Sequence, residues 1–123
     1  MFYNILAVGL GGLFGSVARY LISHYFTLNN NGHFPWATTI VNLVGSILIG
    51  ALFAYFEKGI EVSNEVKLLL TVGFCGGFTT FSTFSLEFIK LLDKGQLVIA
   101  GVYLLINVFL SIILCLLAYK LIK

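Results

Sequence analysis

Four long apolar runs, separated by three short polar connections, dominate the pattern of this 123-residue chain. The run 2–22 contains one charge, Arg19, while 36–56, 68–86 and 97–119 contain none, and Glu87 follows just after the third. Each is close to the roughly 20 residues that a helix needs to cross about 30 Å of hydrocarbon. The pattern predicts four transmembrane helices, at about 2–22, 36–56, 67–89 and 97–119, in one all-α domain over residues 1–123. A membrane barrel would instead show polar–apolar alternation in segments of about ten residues. The first run reads as a span rather than a cleaved signal peptide. It lacks a basic lead, its apolar stretch is long, and no small-residue cleavage pattern follows.

The connections carry ordinary turn chemistry. Residues 23–35 include Asn29-Asn30-Asn31-Gly32, a turn signal, and end in Pro35, which suits the first turn of the next helix. Trp36 beside it fits the aromatic belt at a membrane surface. In 57–67, Ser63 followed by Glu65 and Val66 reads as a helix start. In 90–96, Asp93-Lys94-Gly95 reads as a tight turn.

Composition strengthens the membrane assignment. Hydrophobic residues make up 59% and charged residues only 10%, with a mean hydropathy of +1.03, too little charge to cover a soluble surface. A net charge of +2 from scattered cations offers no footprint for nucleic acid. Cys75 and Cys115 lie within apolar runs and read as small buried side chains. His24 and His33 read as interfacial, with no acidic or cysteine cluster beside them to complete a metal site. Four crossings put both termini and the second connection on one side, with Lys58, Lys67, Lys120 and Lys123. The other side has Lys90 and Lys94, joined by Arg19 if its side chain reaches that far. This small bias either sets a single orientation or, being so nearly balanced, allows insertion both ways.

The polar residues inside the runs are more specific. Gly9, Gly11, Gly12, Gly15 and Ser16 give the first helix a small-residue face for close packing. Arg19 either anchors structure or attracts an anion; a guanidinium in a span must face protein, water or headgroups. Thr38, Asn42, Gly45 and Ser46 share a face of the second helix, with Asn42 deepest. It either bonds across to another helix or lines a pathway. The third run contains Gly73-Phe74-Cys75-Gly76-Gly77-Phe78-Thr79-Thr80-Phe81-Ser82-Thr83-Phe84-Ser85. Paired glycines, β-branched threonines and competing hydroxyls make it a poor helix. It is either a tightly packed helix or one broken mid-membrane at 76–79, whose freed carbonyls would suit a small hard cation. Phe81 and Phe84 share a face, and their positive ring edges can meet an anion without a fixed charge. Ser82, Thr83 and Ser85 add neutral donors, a combination suited to weak, releasable binding. Tyr103, Asn107 and Ser111 form a polar stripe on the fourth helix that either packs against a neighbour or lines a path.

Taken together, Gly15-Ser16-Val17-Ala18-Arg19-Tyr20, Val41-Asn42-Leu43-Val44-Gly45 and the string GFCGGFTTFSTF over 73–84 resemble the Fluc/CrcB fluoride channels along essentially the whole chain. Ser16, where alanine is common, is the main departure and only exchanges one small residue for another. The resemblance implies a fluoride-selective passive channel, multi-pass in the bacterial plasma (inner) membrane and surrounded by lipid. It implies an antiparallel dual-topology homodimer with a structural sodium ion on its two-fold axis. It also implies that Phe81 and Phe84 are the paired rings of the fluoride path, with Asn42 and the hydroxyls of Ser82 and Thr83 beside them. Tyr103 and Ser111 then belong to a polar track, Arg19 matches the first-helix arginine, and the backbone carbonyls of Gly76 and Thr79 hold the sodium. An enzyme is not expected, since no nucleophile–base pair, metal cluster or phosphate loop is present. A small multidrug-type proton-coupled exporter is the nearest rival, but it needs an intramembrane carboxylate, and the first three helices offer only Glu87, which reads as peripheral.

Overall fold

The computed structural model describes residues 1–29, 32 and 34–123. Asn30 and Asn31 of the expected turn, and His33, lie outside the described residues. Helix α1 spans Phe2–Asn29 and α2 spans Trp36–Glu57. The third crossing, Asn64–Asp93, is divided into α3 (64–78) and α4 (Ser82–Asp93), and α5 covers Leu97–Ile122. Four crossings long and apolar enough for a membrane therefore stand where the apolar runs place them.

The ends differ from expectation where side chains satisfy the backbone. Helix α1 continues seven residues past 22. In that extra length, Thr27 Oγ1 donates to the Ser23 carbonyl at 2.9 Å and Asn29 Nδ2 to the Tyr25 carbonyl at 2.8 Å. Polar side chains that fold back on the helix let it outrun its apolar stretch. Pro35 stands one residue ahead of α2 rather than in its first turn, with φ −78° and ψ 79°. Its carbonyl accepts from the Thr39 amide at 3.3 Å. Ser63 caps α3 as expected, accepting from the Val66 amide at 3.3 Å. At the end of α4, Gly95 takes φ +74° while the Gln96 amide donates to the Leu91 carbonyl at 3.0 Å. That left-handed position is one a glycine occupies without strain.

Two helices contain a widened turn. In α3 the Gly76 amide reaches back to the Thr71 carbonyl, and in α5 the Ser111 amide reaches back to the Ile106 carbonyl. Such wide turns shift the phase of the side chains that follow and often occur at functional positions.

Close backbone contact holds the bundle together. A Cβ built on Gly11 would lie 2.1 Å from the Leu69 carbonyl oxygen, and one on Gly15 would lie 2.3 Å from that of Phe74. The small-residue face of α1 is thus pressed directly onto α3. In lipid, where burial of apolar surface between helices gains little, such packing carries much of the association. A small aromatic core of Phe84, Leu91, Ala100 and Tyr103 joins α4 to α5. Cys75 is buried in α3, as its apolar setting suggests.

Candidate functional site

The site is organised around the interruption of the third crossing. The expected break at 76–79 lies slightly later, because residues 76–78 remain helical and Thr79 is the first extended residue, with φ −82° and ψ 160°. Gly76-Gly77 stays wound because it is packed. A Cβ on Gly77 would lie 2.8 Å from the Gly12 carbonyl oxygen, so α1 supports the backbone there. Flexibility in a peptide does not imply a break when a neighbouring backbone confines the glycine.

What ends α3 is a set of diverted hydrogen bonds. Thr79 Oγ1 donates to the Cys75 carbonyl at 2.9 Å, alongside the Thr79 amide at 3.0 Å. The Thr80 amide then turns away from α3 and donates to Asn42 Oδ1 at 2.8 Å. Asn42 Nδ2 donates to the Thr80 carbonyl at 3.1 Å, so one side chain pairs both backbone groups of one residue. The Thr80 hydroxyl accepts from the Thr83 amide at 3.2 Å and starts α4. The Gly76 and Thr79 carbonyls are therefore those whose donors four residues on, Thr80 and Thr83, have been redirected. Two backbone oxygens of the kind a hard cation takes are made available at the break.

Arg19 stabilises the same region from α1, where its Nε donates to the Gly77 carbonyl at 3.0 Å. A cation on the carbonyl end of α3 also complements the helix dipole. The guanidinium borders a small cavity of about 140 Å³ whose wall includes Thr38, Thr80 and Thr83. Both open readings of Arg19 are thus compatible with its position.

A larger cavity of about 440 Å³ is open on the side of the bundle and brings together Asn42, Gly76, Thr79, Phe81 and Ser111. Asn107 joins them and takes Nδ2 of Asn42 on its Oδ1 at 2.8 Å. Ser111 Oγ is buried with no hydrogen-bond partner among the described residues. The two phenylalanines are neighbours but not equals. Their centroids lie 5.5 Å apart at an interplanar angle of 55°, with Phe81 74% exposed and Phe84 only 4%. Ser82 is exposed at the start of α4, borders neither of these two cavities, and is not gathered with the others.

Tyr103 is fully buried beneath Phe84, with ring centroids 5.1 Å apart. Its hydroxyl donates to Glu87 Oε1 at 3.1 Å, and Thr38 Oγ1 donates to the same oxygen. Glu87 is half-buried near the end of the bundle, close to Pro35 and Lys94, and is engaged there by two other helices. The apolar run stops just short of it, while α4 restarts after the break and turns it inward. Thr80 and Asn107 were also not singled out as site residues by the sequence. Asn107 already shared the stripe with Tyr103 and Ser111, so its periodicity was the available signal.

Replacing Asn42 with leucine is expected to leave the Thr80 amide and carbonyl unpaired, at a cost of about 1–3 kcal/mol for a buried group. Thermal unfolding in detergent should shift down, and hydrogen exchange at the Thr80 amide should accelerate. Asn42→Asp keeps the acceptor for the Thr80 amide but sets an oxygen against the Thr80 carbonyl and Asn107 Oδ1, and should also shift down. Equal melting of all three proteins would remove Asn42 as the support of the break.

Residues 6–119 match the family described as CrcB-like protein, Camphor Resistance (CrcB). The chain is 46% identical to "Fluoride-specific ion channel FluC 1" of Yersinia pestis, covering 100% of this chain and 96% of that one. It is 44% identical to the protein of the same name from Nitrobacter hamburgensis, covering 88% and 86%. Against "Fluoride-specific ion channel FluC" of Flavobacterium psychrophilum the identity is 44%, covering 89% and 88%. Four spans, an interrupted third crossing and similarity over the whole length lead to one conclusion: this chain belongs to the CrcB family.

Proposed function

We propose that the chain is a fluoride-selective passive channel that exports fluoride and relieves its toxicity. The observation that carries this reading is similarity along the whole chain to proteins named fluoride-specific ion channels. The chemistry of the break supports it. Fluoride is small and strongly hydrated, so a pathway must offer hydrogen-bond donors without a fixed charge that would trap it. Asn42 Nδ2, the hydroxyls of Ser82 and Thr83, and the edges of Phe81 and Phe84 are donors of this kind. Tyr103 and Ser111 continue the polar track on α5, and the unpartnered Ser111 hydroxyl is a donor still available for a ligand. Arg19 draws anions toward the break while tied by Nε to Gly77. In this reading weak acid crosses the membrane as HF, dissociates in a more neutral interior, and the membrane potential drives the anion out. Glu87 does not restore the proton-coupled exporter, because the family kinship runs to channels and the carboxylate is engaged by two hydroxyls.

The working unit in this reading is an antiparallel dual-topology homodimer. The 440 Å³ cavity exposes Asn42, Ser46, Gly76, Thr79 and Thr80 on the side of a bundle whose surroundings are lipid. Hydrocarbon cannot pair irregular backbone, so protein must cover it. A second, inverted copy would do so and bring two breaks together, and the weak cation bias permits that insertion. The Gly76 and Thr79 carbonyls from both copies would then hold a structural sodium ion on the two-fold axis, their amide donors having been redirected.

Reconstituted liposomes should pass fluoride electrogenically and reject chloride, as read by a fluoride electrode with and without a potassium ionophore. Phe81→Ile or Phe84→Ile should cut that flux by about tenfold or more, the scale of losing an interaction with the ion of about 1.4 kcal/mol, with oligomeric state unchanged. No fluoride flux from the unaltered protein would sink the channel reading.

A single cysteine at Lys123→Cys, in a chain with Cys75→Ala and Cys115→Ala, tests the topology. An impermeant maleimide applied to sealed cells should label about half of it, by the even partition of inverted copies. Labelling from one side alone would rule out dual topology. For the sodium site, exchange into a large organic cation should lower the thermal midpoint, and sodium should restore it while an equal concentration of that organic cation does not. Indifference to sodium would leave those carbonyls without a bound cation.

A further inference from the structure

Asn42 and Asn107 meet side chain to side chain in the cavity wall, and neighbouring groups fix the polarity of that meeting. We propose that Asn107, backed by Thr39, is a positioning residue that holds the Asn42 amide in its orientation across the break. The proposal deepens the channel reading and rests on it for its functional consequence.

The chain of bonds begins at Pro35, whose carbonyl can only accept. Thr39 Oγ1 has one proton and gives it to Pro35 O at 3.0 Å. Only lone pairs then face Asn107, so the group 3.2 Å away must be its amide nitrogen, Nδ2. That nitrogen gives its other hydrogen to the Tyr103 carbonyl one turn back, at 3.1 Å. Asn107 Oδ1 is left to face Asn42, and it accepts from Asn42 Nδ2 at 2.8 Å. The second hydrogen on Asn42 Nδ2 goes to the Thr80 carbonyl at 3.1 Å, which leaves Asn42 Oδ1 for the Thr80 amide at 2.8 Å.

The opposite end of the chain gives the same answer independently. A backbone N–H can only donate, so Thr80 alone requires Oδ1 at its position. The carbonyls of Tyr103 and Thr80, which can only accept, and the Thr80 amide, which can only donate, agree on one orientation. Thr39 is 2% exposed and Asn107 7%, so solvent competes little for these bonds. Flipping the Asn42 amide would set oxygen against oxygen at Asn107 and at the Thr80 carbonyl, and NH2 against the Thr80 amide.

This arrangement changes what Asn42 offers an ion. Both hydrogens of Nδ2 are already committed, one to Asn107 and one to Thr80. An anion reaching Asn42 takes over one of these bonds instead of meeting an unused donor. Exchanging one hydrogen bond for another keeps the site from holding too tightly, which is what conduction requires. Without Asn107 the amide is held by Thr80 alone, and one of its two hydrogens loses its partner, so the template of the break is weakened.

The test uses the whole channel in detergent and in liposomes. Thr39→Val preserves shape and removes the hydroxyl, whereas Thr39→Ser keeps it. Thr39→Val should speed hydrogen exchange at the Thr80 amide and lower fluoride flux, each by about fivefold, the scale of one buried hydrogen bond. Thr39→Ser should return both to within about twofold of the unaltered protein, and Asn107→Leu should exceed Thr39→Val in both. Amides of α1 should exchange at their usual rates in all three. Should Asn107→Leu fail to fold, the Thr39 pair still decides. Unchanged Thr80 exchange in Thr39→Val, or faster exchange spread through α1, would overturn the positioning role. Faster Thr80 exchange with no fluoride flux in any form would uphold the relay and reject the channel reading instead.

Discussion

One side-chain amide pairs with both backbone groups of one residue, and the organisation of the candidate site depends on that pairing. Asn42 on α2 accepts from the Thr80 amide and donates to the Thr80 carbonyl. In water such a contact would be one option among many, because solvent can pair either group. Within a bilayer the alternative is an unpaired peptide costing several kcal/mol. The asparagine therefore substitutes for the missing helical turn. It permits a stop in a crossing that must otherwise remain continuous, and so permits a site to exist there at all.

The other contacts around the break perform complementary tasks. Arg19 covers the Gly77 carbonyl at the end of α3, and the Thr80 hydroxyl covers the Thr83 amide at the start of α4. The glycines of α1 bring the arginine-bearing helix close enough for this contact, with backbone against backbone at Gly11 and Gly15. A larger residue at either position would push α1 away and carry Arg19 with it. Packing and polar pairing are thus coupled through one helix, so the small-residue face of α1 has consequences for the site beyond adhesion.

The four crossings were legible because crossing a bilayer imposes a length and a composition that few other folds share. Helix ends were less legible, since the extra turns of α1 depend on Thr27 and Asn29 folding back onto carbonyls. The break was readable as a region but was displaced toward Gly76-Gly77. Glycine propensity describes a solvated chain, whereas Gly77 is confined by the backbone of α1. Asn42 was legible as a polar residue in an apolar span. Its partner was not, because the contact joins residues 38 apart in the chain. The engagement of Glu87 was hidden for a related reason: its partners Thr38 and Tyr103 lie 49 and 16 residues away in the chain. Wide turns in α3 and α5 shift the side-chain phase. Hydrophobic periodicity therefore holds within each segment and fails across the features that make the site.

Most polar side chains within the spans are paired inside the single chain. Thr38 and Tyr103 satisfy Glu87 within the bundle, and Asn42, Asn107 and Thr39 satisfy one another. Ser111 Oγ has no partner among the described residues, and Phe81 is 74% exposed next to a backbone that lipid cannot pair. A chain optimised to stand alone in hydrocarbon would place its leftover polar groups within the bundle. Here Ser111 and Phe81 border one open cavity. The interior is thus closed around its acid and its asparagine relay, while Phe81, Gly76 and Thr79 border the open cavity. For a pathway, that division has a physical use. The relay fixes donor directions within the chain, and the open cavity beside it keeps the Phe81 ring accessible.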